Sequence, residues 1–66
     1  MQKYAEAIPD YTRVIELSPD NADSYYNRGA AYHYMGDASH SCADFQQAAT
    51  MGSSKAKDAV LKYCKE

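Results

Sequence analysis

Apolar and polar positions along the chain fall into four stretches separated by turn-forming residues. "SPDN" at 18–21, Gly36-Asp37 and "GSS" at 52–54 punctuate segments at roughly 2–17, 22–35, 38–51 and 55–65. Each segment is rich in Ala, Leu, Lys, Gln or Glu, and none alternates as a strand does, so four helices joined by short loops are expected. Short connections make consecutive helices antiparallel neighbours. Asp20, Asn21 and Asp37 put acceptors and negative charge at two helix starts, where free N–H groups need partners. Pro9 interrupts the first segment, yet Ala7, Ile8, Tyr11, Val14 and Ile15 keep helical spacing through it. One kinked helix over 3–17 follows. In the last segment Ala56, Ala59, Val60, Tyr63 and Cys64 make an apolar stripe, with Lys57, Asp58, Lys62, Lys65 and Glu66 elsewhere and Leu61 off the stripe.

A shift of 34 residues lays the first helix on the third. Ala7 falls on Ser41, Ile8 on Cys42, Asp10 on Asp44, Tyr11 on Phe45 and Pro19 on Ser53. A period of this length built from helix pairs points to a solenoid. Tyr25-x2-Arg28-Gly29-x2-Tyr32, then Ser41-x3-Phe45, then Ser53, resembles the tetratricopeptide repeat pattern. The preceding Ala7-x3-Tyr11 and Pro19 match its second half. Arg28 stands where the family has leucine, Ser41 where it has alanine, and Ser53 where it has proline. The resemblance implies an all-α fold, with antiparallel helix pairs in a right-handed solenoid. Residues 1–19 would be the second helix of a partial repeat, 20–54 one full repeat, and 55–66 a C-terminal capping helix with a polar outer face. On this reading the chain is the end of a longer array, and its first helix has lost a partner, which invites self-association.

The helix at 22–35 carries two sets of rings. Tyr25 and Tyr32, seven residues apart on the face of Gly29, are expected to pack with Phe45, and Gly29 to let the helices approach. Arg28 is expected to lay its stem on apolar surface with its head in water. Tyr26, Ala30, His33 and Tyr34 occupy the other side, which in the family lines a concave groove that holds a peptide. With Asn27, and Lys57 at the edge, they are the candidate residues for binding a protein or peptide. An ordinary wetted face is the alternative. Some family members grip a C-terminal carboxylate with a clamp of Asn, Lys and Arg. Asn27 and Lys57 match clamp positions, but Leu61 stands in place of the arginine. A purely structural capping role and self-association are the competing functions.

Composition narrows the rest. Sixty-six residues make one small domain with little room for both a core and a catalytic cleft. Seven Lys+Arg against nine Asp+Glu, interspersed, give net −2, which does not suit a nucleic-acid groove. No run reaches the length of a membrane span, and no targeting segment shows, so a cytoplasmic location is the default expectation. His33, His40, Cys42 and Cys64 have no ligand spacing, so no metal or other cofactor is expected. Ser39, Ser41 and Cys42 lack a base with its orienting partner, and the isolated glycines cradle no phosphate, so no enzyme is expected. Cys42 and Cys64 lie 22 residues apart and read as two half-buried free thiols, with a disulfide as the other option.

Overall fold

The computed structural model describes residues 3–64, so Met1, Gln2, Lys65 and Glu66 lie outside it. The four helices are α1 (Tyr4–Leu17), α2 (Ala22–Tyr34), α3 (Ala38–Thr50) and α4 (Ser54–Tyr63). Local chemistry fixes their ends. The side chains of Asn21, Asp37 and Ser53 accept from the backbone N–H of Ser24, His40 and Ala56 at 3.2–3.3 Å, satisfying donors that the first turns leave free. Gly36 and Gly52 close α2 and α3 with φ of 84° and 102°, a conformation open to glycine. The residues after them, Asp37 and Ser53, donate back to the carbonyls of Tyr32 and Ala48 at 2.9 and 3.0 Å, which completes the left-handed stop signal. α1 runs unbroken through Pro9.

Each helix packs on its neighbour in the chain. The buried apolar set is small: Ile15, Ala31, Phe45, Ala48, Ala56 and Ala59. Phe45 is the one large ring among them, and it sits over Gly29. A Cβ at position 29 would come within 2.9 Å of Phe45 Cδ1 and 3.2 Å of Asp44 Cβ. Gly29 therefore sets the α2–α3 distance by having no side chain, as the sequence suggests.

Three expectations about this core are corrected. Tyr25 and Tyr32 are only half-buried, and Phe45 meets Tyr26 and Tyr63 instead, at centroid distances of 5.5 and 6.1 Å. Tyr32 stacks on His40 at 4.9 Å, and Tyr25 lies under the Arg28 guanidinium at 5.6 Å. The Arg28 head is not in water. Its Nε and Nη2 donate to the two carboxylate oxygens of Asp44 at 2.7 and 2.8 Å, and Nη1 donates to Thr12 Oγ1 at 3.1 Å. The fork matches a carboxylate, so one side chain ties α1, α2 and α3 together. Donating to Asp44 raises the Arg28 pKa further, against the smaller opposing effect of burial. Finally, Cys42 and Cys64 form a disulfide with their Cα atoms 5.6 Å apart, because the antiparallel α3–α4 hairpin brings the start of one helix beside the end of the other.

Candidate functional site

α2 presents Tyr26, Ala30, His33 and Tyr34 at i, i+4, i+7 and i+8, so one helical face carries them all. The rings on that face continue into neighbouring helices. Tyr34 stacks on Tyr4 of α1 at 4.8 Å and meets His33 edge-on at 5.4 Å. His33 lies 4.2 Å from Tyr63 of α4, and from there the row passes through Phe45 of α3 to Tyr26. Six rings drawn from four helices thus form one connected row. Near its Tyr4 end the row reaches the surface, since Tyr34 is 65% exposed.

At the other end of the row lies a cavity of about 200 Å³ between α2 and α4, lined by Tyr26, Lys55, Asp58, Ala59, Lys62 and Tyr63. Two ammonium groups against one carboxylate make its wall net positive in a chain that is net negative. The phenol rings of Tyr26 and Tyr63 give it apolar area with a polar tip.

The candidate residues read from the sequence are placed unevenly. Tyr26 is half-buried on the cavity wall, His33 is half-buried between Tyr34 and Tyr63, and Ala30 lies between them on α2. Tyr34 turns toward α1. Asn27 and Lys57 are exposed, and neither belongs to the cavity wall. The lysines that do are Lys55 and Lys62. Sequence reasoning missed these two, with Tyr4, Asp58 and Tyr63 as neighbours of the site. A signal was present for most of them: Lys55, Asp58, Ala59, Lys62 and Tyr63 fall at i, i+3, i+4, i+7 and i+8 along α4. Among the described residues there is no group of three or more His, Cys, Asp or Glu side chains placed to hold a metal. No helix of the described residues is long and apolar enough to cross a membrane.

A family profile described as TPR repeat matches residues 1–36, more than half of the chain. The chain belongs to the tetratricopeptide repeat family. A second profile of that family, described as Tetratricopeptide repeat, matches residues 22–51, which spans α2 and α3. α4 lies beyond both matched ranges. Neither a curated protein nor a solved structure matches the chain. Tetratricopeptide repeats are non-catalytic helical repeats that mediate protein–protein interaction, and the four-helix, strand-free fold of the described residues agrees with that family.

Proposed function

We propose that this chain is a protein-interaction module that takes a peptide or an extended segment of a partner along the α2 face of Tyr26, Asn27, Ala30, His33 and Tyr34, with Lys57 at its edge. In this reading α1 is the second helix of a partial repeat, α2 and α3 form one full repeat, and α4 caps the stack. The observation that carries it is the run of partly exposed rings Tyr34, His33 and Tyr63, which leads to the cavity that Tyr63 and Tyr26 line beside Lys55 and Lys62. Tyrosine is rigid and amphipathic, so it contributes contact area at low entropic cost.

The test is an amide-shift titration of the full chain. Its probes are short peptides with acidic C-termini, free or amidated, and an apolar aromatic peptide. Binding on this face moves amides 22–36 and those of α4, and Tyr34→Ala removes the response. Tyr34 is exposed but stacks on Tyr4, so that variant should lose only about 0.5–1.5 kcal/mol and stay folded, which circular dichroism of the same sample checks. Movement of Asn27 and Lys57 by free carboxylates alone would select the clamp form of the reading. No movement with any peptide refutes the binding reading and leaves the structural cap. Self-association is favoured by Leu17, an apolar side chain 72% exposed on α1. Sedimentation across a dilution series decides it, since a dimer of this kind loses mass on dilution.

A further inference from the structure

We infer that the Cys42–Cys64 disulfide is a redox latch on the proposed binding face: closed, it holds α4 against α2 and α3 and forms the cavity; open, it releases α4 and dismantles it. The regulatory half rests on the reading of that face as the binding surface, whereas the latch itself does not.

Little else holds α4. It has ten residues, and helices shorter than ~12–15 residues are marginal alone. Its buried side chains are two alanines, Ala56 and Ala59, the smallest apolar payload a helix can offer. One end of α4 is fixed by the tight turn at Gly52 and the Ser53 cap. The other end is fixed by Cys64, its C-cap residue, bonded to Cys42 near the start of α3. Cys42 Sγ also lies 3.7 Å from the Tyr63 carbonyl oxygen, so the bond sits directly against the residue whose ring meets His33 and Phe45. Closing a loop of this span is worth roughly a hundredfold in the equilibrium it constrains, comparable with the packing that two alanines, a half-buried Val60 and one ring provide.

The consequence reaches the cavity because five of its six wall residues, Lys55, Asp58, Ala59, Lys62 and Tyr63, belong to α4. Both cysteines are partly exposed, which gives a reductant access. A dithiol supplies the two electrons. One of its thiolates attacks a sulfur of the pair to give a mixed disulfide, and its second thiol displaces the protein sulfur. The reductant leaves as a cyclic disulfide, and Cys42 and Cys64 each take up one proton as thiols. Reducing compartments keep such pairs open and oxidising ones keep them closed, so the surroundings set the state of the site.

Amide hydrogen exchange on the full chain, oxidised and with dithiothreitol, tests the latch without any ligand. The expected result is that amides of 57–63 exchange roughly a hundredfold faster when reduced, while those of α2 and α3 keep their protection. Cys42→Ser combined with Cys64→Ser should behave as the reduced chain with or without dithiothreitol. Equal protection of α4 in both states overturns the latch, because packing alone would then hold the helix. Simultaneous loss of protection in all four helices also overturns it, because the bond would then be a general staple. A chain that binds none of the peptides above but shows selective release of α4 refutes the binding reading and leaves the latch standing.

Discussion

Replacing Arg28 with leucine, the residue that the family pattern carries at that position, is predicted to destabilise this chain severely. The Asp44 side chain is 8% exposed and that of Arg28 19%, so the pair is largely shielded from water. Arg28→Leu leaves the Asp44 carboxylate with both donors gone. Removing one member of a buried pair costs about 3–5 kcal/mol, and a half-buried leucine returns about 1 kcal/mol. The net loss is about 2–4 kcal/mol. At roughly 0.05–0.15 kcal/mol per residue the whole domain has about 3–10 kcal/mol to lose. Asp44→Ala should cost less, about 1–2 kcal/mol, because the long arginine side chain can carry its head outward to water. With both changes together no charge is stranded, so the double variant should be more stable than the sum of the singles by at least ~1.5 kcal/mol. Urea denaturation followed by far-UV circular dichroism on the four chains gives the coupling. A coupling below ~0.5 kcal/mol would refute the reasoning, since the ion pair would then be a surface contact of little weight.

Two further predictions concern α3. Ser41 is 1% exposed and its hydroxyl has no hydrogen-bond partner among the described residues, so Ser41→Ala should stabilise the domain by about 1 kcal/mol, a rise in Tm of roughly 4–8 °C; a lower Tm would show that the hydroxyl is satisfied. Asp37 has its pKa lowered first by the backbone N–H of His40 and then by the His40 ring, 2.7 Å from Oδ2. A carboxyl whose folded pKa is depressed stabilises fully above its unfolded value, about 3.9, and that stabilisation is lost as pH falls through the lower folded pKa. The first turn of α3 should therefore fray below about pH 4 in amide spectra, and Asp37→Asn, which caps without titrating, should remove the transition. The same fraying in the asparagine variant would place its cause elsewhere.

The helix ends were readable because Gly36, Gly52, Asn21 and Asp37 act locally: a positive φ or a cap needs only the residues next to it. Contacts inside one hairpin were readable too, although not all of them were read. Residues equidistant from a tight turn meet across an antiparallel helix pair. Arg28 lies eight residues before Gly36 and Asp44 eight after it, and Gly29 and Phe45 bracket the same turn at seven and nine. About Gly52, Cys42 lies ten before and Cys64 twelve after. The ion pair was thus implied by the helix-and-turn pattern, and treating the arginine alone hid it; the disulfide, two residues off that symmetry, was open as the alternative to free thiols.

The candidate site is a different case. His33 meets Tyr63, and Tyr26 lines one cavity with Lys62, so α2 and α4 come together across two turns. Their meeting depends on the angle at which one hairpin stacks on the next. That angle follows from side-chain volumes at a few contacts: no side chain at Gly29, one ring at Phe45, and alanines at 48, 56 and 59. Helical periodicity alone supplies the faces of α2 and α4 but not their relative rotation. For the same reason Tyr26 rather than Tyr25 took the place beside Phe45: adjacent helix positions differ by about 100°, and the choice between them is made by the third and fourth helices. The part of the proposed binding face that the sequence left unread is therefore mainly the part α4 supplies, and α4 is the helix whose placement leans most on the Cys42–Cys64 bond.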